Sequence, residues 1–105
     1  MLATTDVRTR LDEVKEKTAA ALRLSEADSG ASVVLVAVVR EFDTKTDKAT
    51  RAADSESTAR DAVIELEQAG DSAKAAAEAD PGIGEEALQA VQDAHLAICI
   101  LKTEV

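Results

Sequence analysis

His95 and Cys99 are the residues of this chain best suited to chemistry, since they are its only histidine and its only cysteine. They are four residues apart, and on a helix this spacing places both side chains on one side. A thiol beside an imidazole can act as a nucleophile with its base. The sequence shows neither a third group to orient the histidine nor an oxyanion site, so we predict no catalytic residues and no enzymatic activity.

The same histidine is the starting point for any metal site. Helical bundles that bind two iron ions carry a Glu-x-x-His motif, but the residue three positions before His95 is Gln92, and no second copy of the motif exists. Asp93 or Glu86 can join His95 as ligands only with further groups that the sequence does not place. We therefore predict no metal and no cofactor.

Two other motifs suggest ligand binding and lack essential residues. Residues 82–84 read Gly-Ile-Gly before a helix, but the lysine and hydroxyl of a phosphate-binding loop are missing, and Glu85 and Glu86 would repel an anion. Asp43 and Asp47 have neither the spacing nor the glycine of a calcium loop. We interpret these carboxylates as solvated surface groups.

The chain is short and poor in bulky side chains. Its 105 residues suffice for one hydrophobic core, which predicts a single helical domain over residues 1–105. Phe42 is the only aromatic residue, and much of the 46% hydrophobic content is alanine. Because little side-chain volume is available to fill a core, we expect the chain to gain stability by forming a homo-oligomer.

Negative charge is concentrated in the second half of the chain. The net charge is −9, and residues 55–105 carry −8 of it. Nucleic-acid binding requires a basic surface, so we predict no nucleic-acid partner, whereas a basic protein is a partner that this surface would attract. The chain has neither a run of roughly 18 apolar residues nor an apolar leader segment. We predict no membrane contact and a cytoplasmic protein, with leaderless secretion left open.

The densest apolar stretch, residues 32–42, can be interpreted in two ways. Five of the seven residues 33–39 are valine, which favours a strand whose only partner within the chain would be residues 96–101. That reading gives an α+β fold with one two-stranded sheet, which is marginally stable. The pair Glu41 and Lys45 that follows has the acid-then-base spacing of a helix. We therefore predict a helix here.

Apolar residues recur at helical spacing along the rest of the chain and predict an all-α fold. The predicted helices cover residues 4–28, 32–53, 57–79 and 85–105. With these breaks, the pattern is that of an antiparallel four-helix bundle, or of helical hairpins packed as an oligomer.

Two boundaries stay open in the sequence. Residues 54–57 contain neither glycine nor proline, so the alternative is one helix over residues 32–79, a rod of about 70 Å. Gly70 is a second place where the third helix could stop. We favour the break after residue 53.

Apolar residues also occur on helix sides that should face water. Val33 and Val36 lie opposite the core side of the second helix, and Leu96 and Ile100 lie opposite that of the fourth. In a bundle, an antiparallel two-fold dimer would bring these two pairs together reciprocally. We predict that Val33, Val36, Leu96 and Ile100, together with the single aromatic Phe42, are interaction residues.

These observations predict a non-enzymatic helical module for protein–protein interaction or structure that self-associates. One alternative is a small secreted or phage-type assembly component built on a long central helix. A second alternative is an acidic helical regulator that binds a basic partner.

Overall fold

Four α-helices account for 84% of residues 2–105. In a computed structural model that describes residues 2–105, they are α1 (Thr4–Ala27), α2 (Val33–Ala52), α3 (Glu56–Ala79) and α4 (Glu85–Thr103). The predicted all-α four-helix bundle is confirmed. No strand forms within residues 2–105, so the α+β alternative with strands at 33–39 and 96–101 is wrong.

The valine-rich start of α2 is helical because one side of it enters the core. Ser32 caps the helix, and its hydroxyl accepts a hydrogen bond from the backbone N–H of Leu35 at 3.1 Å. Leu35, Val39 and Phe42 follow at helical spacing and are all buried. A strand would turn Leu35 and Phe42 to opposite faces. Only a helix buries all three residues on one side.

The break between α2 and α3 is confirmed, and the rod over residues 32–79 does not form. Ser55 is the N-cap of α3, and it forms a capping box with Thr58 in which each side chain accepts a hydrogen bond from the other residue's backbone N–H. This polar cap starts a new helix without a glycine or proline. Gly70 does not stop α3, since it lies in mid-helix beside the ring of Phe42.

The four helices surround one core. α1 and α3 each pack against both α2 and α4, so α2 and α4 stand at opposite corners of the bundle. Short loops join successive helices, which therefore run antiparallel. The molecule measures 41 × 20 × 17 Å.

The bundle consists of two helical hairpins whose buried positions repeat after 52 residues. Every buried position of α1 has a buried counterpart in α3, and every buried position of α2 has one in α4. The pairs are Val7/Ala59, Leu11/Val63, Val14/Leu66, Thr18/Gly70, Ala21/Ala73, Ser25/Ala77, Leu35/Ala87, Val39/Val91, Phe42/Ala94, Thr46/Ile98 and Ala49/Leu101. Glu67 is the one buried helical residue of residues 2–105 whose counterpart, Lys15, is not buried.

The loop of each hairpin, residues 28–32 in the first and 80–84 in the second, follows the same 52-residue repeat, and the two loops contact each other. Asp28 ends α1 and accepts a hydrogen bond from the backbone N–H of Gly84 in the second loop. Asp80 ends α3 and accepts one from the backbone N–H of Ser32 in the first loop at 2.9 Å. The backbone N–H groups of Ser32 and Gly82 both donate to the Asp80 carboxylate and lower its pKa. The two loops therefore close one end of the bundle with reciprocal contacts.

Glycine is required where the two loops touch. A Cβ on Gly30 would lie 1.9 Å from the carbonyl oxygen of Gly82, and a Cβ on Gly82 would lie 2.1 Å from that of Gly30. No side chain fits this approach of backbone to backbone. At the other end of the bundle the backbone N–H of Leu2 donates to the carbonyl of Glu104 at 2.9 Å, so the described ends of the chain are adjacent.

Candidate functional site

Two apolar patches remain on the surface of the bundle. The α2 patch consists of Val33 and Val34, which are 87% and 70% exposed, and the α4 patch consists of Leu96 and Ile100, which are 58% and 44% exposed. Val33, Leu96 and Ile100 were predicted from the sequence as interaction residues, and Val34 was not. Their role as interaction residues stays a prediction.

The other two predicted interaction residues lie elsewhere. Val36 is half-buried on α2. Phe42 is fully buried among core side chains, because its helical position lies on the same side as Leu35 and Val39. A partner on the surface cannot reach Phe42, and naming it as an interaction residue was wrong.

The two patches face in opposite directions. Val33 lies on the side of α2 opposite the buried residues of that helix. Leu96 and Ile100 likewise lie on the side of α4 opposite its buried residues. Since α2 and α4 occupy opposite corners of the bundle, the two patches point away from each other. The patches also lie at opposite ends, since α2 and α4 run parallel and one patch begins α2 whereas the other is in the second half of α4. In an isologous dimer both surfaces must face the partner at once. The predicted reciprocal two-fold contact therefore does not fit this geometry.

The hairpin repeat shows which residues occupy the positions equivalent to each patch in the other hairpin. The counterparts of Val33 and Val34 are Glu85 and Glu86, and the counterparts of Leu96 and Ile100 are Thr44 and Lys48. All four counterparts are exposed. Folding thus accepts polar residues at these places, so the bundle itself does not require the apolar ones.

A second candidate site is a polar cluster in the groove between α3 and α4. It consists of Glu67 and Asp71, one turn apart on α3, and His95 and Cys99, one turn apart on α4. One ligand atom from each of the four lies within 4.8 Å of those of the others. His95 Nε2 is 2.7 Å from Asp71 Oδ1, to which it donates, and 3.4 Å from Cys99 Sγ. We call these four residues the α3–α4 cluster.

The charges of the α3–α4 cluster favour carboxylates and an uncharged thiol. The hydrogen bond from His95 lowers the pKa of Asp71. Burial raises the pKa of the Cys99 thiol, and the carboxylates of Glu67 and Asp71 raise it further. A reactive cysteine requires a lowered pKa, so this environment opposes the nucleophile-and-base reading of His95 and Cys99.

Lys102 supplies the positive charge beside this cluster. Its ammonium group is 2.5 Å from Glu67 Oε1, and this hydrogen bond raises the pKa of Lys102. The Glu67 side chain is only 9% exposed, whereas that of Lys102 is 45% exposed. The glutamate is therefore held in the bundle and the lysine reaches it from solvent.

At the related place in the first hairpin, a half-buried group of one lysine and two aspartates replaces the cluster. Adding 52 to Lys15, Asp43 and Asp47 gives the positions of Glu67, His95 and Cys99. Lys15 Nζ contacts Asp43 Oδ1 at 2.8 Å and Asp47 Oδ2 at 3.1 Å. Partial burial opposes the charge, but the hydrogen bonds to both aspartates prevail and raise the pKa of Lys15. Here the protein provides its own cation.

Two of the four residues of the α3–α4 cluster, His95 and Cys99, were identified from the sequence. The spacing of His95 and Cys99 indicated that they share a helix side, but the proposed companions Asp93 and Glu86 lie elsewhere; Asp93 accepts a hydrogen bond from Gln89. Glu67 and Asp71 were missed because they belong to a different helix. The four-residue spacing of Glu67 and Asp71 places them on one side of a helix. This spacing could have identified them only if α3 and α4 were known to be neighbours.

Comparison of the chain with protein-family models, with curated proteins and with solved structures finds no match. Among residues 2–105, no helix combines the length and apolar character needed to cross a membrane.

Proposed function

We propose that this protein is a non-enzymatic structural module that self-associates head to tail through its two apolar patches. The observation that carries the proposal is the placement of the patches on opposite faces and at opposite ends of the bundle. A second copy can cover the α2 patch of the first with its own α4 patch and leave its α2 patch free for a third copy. Such a heterologous contact repeats, and it gives chains rather than closed dimers.

The size of the patches determines how tight this contact can be. Complete burial of a valine, leucine or isoleucine side chain contributes about 1.5–3 kcal/mol. Weighted by the exposed fractions of Val33, Val34, Leu96 and Ile100, one contact contributes about 4–8 kcal/mol, which corresponds to a Kd between about 1 mM and 1 µM. The entropic cost of association offsets much of this contribution, so we expect a Kd at the weak, millimolar end of that range. The assembly is therefore dynamic and depends on concentration.

The hairpin repeat supplies variants that remove each patch without disturbing the fold. Val33→Glu with Val34→Glu copies Glu85 and Glu86 of the other hairpin. Leu96→Thr with Ile100→Lys copies Thr44 and Lys48. We expect both double variants to unfold at the same or a higher urea concentration than the wild type.

Sedimentation velocity over a concentration range up to about 1 mM tests the proposal. We expect the average mass of the wild type to rise with concentration beyond that of a dimer, and each double variant to stay monomeric. An equimolar mixture of the two variants should form a dimer and nothing larger, since each contributes one intact patch. A wild type that is monomeric at about 1 mM, or two variants that do not bind each other, would overturn the proposal.

A further inference from the structure

We propose that the α3–α4 cluster is a binding site for one zinc-type divalent transition metal ion, with Glu67, Asp71, His95 and Cys99 as its four protein ligands. Two residues one turn apart on each of two neighbouring helices turn four donor atoms toward one point in the groove. The site is independent of the apolar patches and of the self-association proposed above.

The distances suit a tetrahedral ion. Zinc bonds of about 2.0–2.3 Å to nitrogen, oxygen and sulfur require ligand atoms roughly 3.3–3.7 Å apart. Cys99 Sγ is 3.4 Å from His95 Nε2, which is within that range. Asp71 Oδ1, at 2.7 Å from the same nitrogen, must move away by roughly 0.6–1 Å. The four ligand atoms all lie within 4.8 Å of one another. Asp71 is exposed and His95 and Cys99 are half-buried, so these three side chains have room to rotate, whereas the buried Glu67 is held in place.

The chemistry of the four donors selects the class of ion. Imidazole and thiolate are ligands that zinc and its neighbours in the first transition row prefer, whereas magnesium and calcium take oxygen ligands. A metal ion that binds Cys99 displaces the thiol proton. The two carboxylates and the resulting thiolate then carry three negative charges, which a divalent cation and the nearby Lys102 ammonium balance together. Four protein ligands leave no open position, which is typical of a structural metal site.

The comparison of the two hairpins supports a missing cation at this place. In the first hairpin, Lys15 contacts both Asp43 and Asp47. In the second hairpin Glu67 replaces this lysine and Asp71 replaces Ala19, whereas His95 and Cys99 replace the two aspartates. With histidine and cysteine counted as neutral, the formal charge of the four positions changes from −1 to −2, and none of the four is a lysine. Lys102 approaches from the exposed end of α4 and forms its ion pair with Glu67, whereas Asp71 is hydrogen-bonded to His95. A metal ion would occupy the position that the Lys15 ammonium has in the first hairpin.

A cobalt titration of the untagged protein in excess Mg²⁺ tests the site. Co²⁺ substitutes for zinc, and a cysteine ligand reveals itself by thiolate-to-cobalt charge-transfer absorption. We expect this absorption to saturate at one Co²⁺ per chain, and Zn²⁺ to abolish it by displacement. Zn²⁺ should also raise the melting temperature, because it joins α3 and α4 only in the folded protein.

Substitutions separate this site from the many surface carboxylates. Cys99→Ala should abolish the charge-transfer band, and His95→Ala should weaken Zn²⁺ binding at least about tenfold. Asp47→Ala, which removes the counterpart of Cys99 in the first hairpin, is the matched control and should leave binding unchanged. The triple variant E67K/H95D/C99D copies the Lys-Asp-Asp arrangement of the first hairpin, so we expect it to fold and to bind no metal.

Moving the four ligands of the α3–α4 cluster to the equivalent positions of the first hairpin tests the geometry directly. The variant K15E/A19D/D43H copies three ligands into the first hairpin, and D47C added to it completes the set. The fourfold variant should bind two Co²⁺ per chain, with twice the charge-transfer absorption. The proposal is overturned if the wild type shows no thiolate band, if Mg²⁺ displaces the metal, or if His95→Ala and the wild type bind Zn²⁺ equally.

Discussion

Replacing Gly70 tests how closely α2 and α3 pack at the single aromatic residue. A Cβ at residue 70 would lie 3.1 and 3.3 Å from two ring carbons of Phe42 and 3.2 Å from Ile98 Cγ2. Ordinary carbon contacts are about 3.5–4.0 Å. Gly70→Ala therefore gains helix propensity and introduces crowding, and the ring of Phe42 causes most of the crowding.

The two effects have comparable magnitudes and opposite signs. Alanine in place of glycine within a helix stabilises by about 1 kcal/mol, whereas overpacking a core costs about 1–3 kcal/mol. In the wild type we expect Gly70→Ala to destabilise by up to about 2 kcal/mol. Phe42→Ala alone should cost about 3–5 kcal/mol. With the ring absent, the same Gly70→Ala change should stabilise by up to about 1 kcal/mol, which gives a coupling of about 1–3 kcal/mol.

Urea unfolding followed by far-ultraviolet circular dichroism measures the four free energies, because the chain has no tryptophan or tyrosine for fluorescence. Ala75→Gly, at an exposed position of α3, is the control and should cost about 1 kcal/mol in both backgrounds. Phe42→Leu can replace Phe42→Ala if the alanine variant is unfolded. An equal effect of Gly70→Ala with and without the Phe42 ring would refute the reasoning.

Three further predictions concern the core, one loop and the chain ends. The Ser25 hydroxyl is buried without a hydrogen-bond partner among the described residues, so Ser25→Ala, which copies its counterpart Ala77, should raise the free energy of unfolding by about 1–3 kcal/mol; a decrease in urea denaturation would contradict this. Since the pKa of Asp80 is lowered in the fold, its carboxylate contributes stability at neutral pH that is lost as pH falls through about 4 and below. The difference in unfolding free energy between the wild type and Asp80→Asn should therefore shrink at about pH 3, and a difference independent of pH would contradict the assignment. Because Leu2 and Glu104 are adjacent, a circular permutant that joins the chain ends and opens the turn between α2 and α3 should keep its helix content and cooperative unfolding; loss of cooperative thermal unfolding would show that the α2–α3 turn is essential.

Much of the fold follows from local patterns. The periodic apolar residues place all four helices within a few residues, and the core side of α2 is predicted by Leu35, Val39 and Phe42. The hairpin repeat is not visible in this way. Among the eleven buried pairs only Ala21/Ala73 and Val39/Val91 are identical. A core constrains the summed volume of its side chains more than their identity. The large Phe42 beside Gly70 can therefore have as its counterparts the smaller Ala94 and the larger Thr18.

For the candidate sites too, some features are properties of a single helix and others depend on contacts between helices. The excess apolar residues at Val33, Leu96 and Ile100 are a property of single helices and were predicted, but their opposite directions depend on α2 and α4 standing at opposite corners. Likewise Glu67 is 35 residues from Lys102 along the chain and 2.5 Å from it in space.

Helix formation, helix sides and net charge are properties of neighbouring residues, so the amino-acid sequence alone determined them. Which helices are neighbours depends on the packing of all four at once. Only the tertiary structure therefore decided that the α3 carboxylates meet His95 and Cys99, and that the α2 and α4 patches cannot face one partner together.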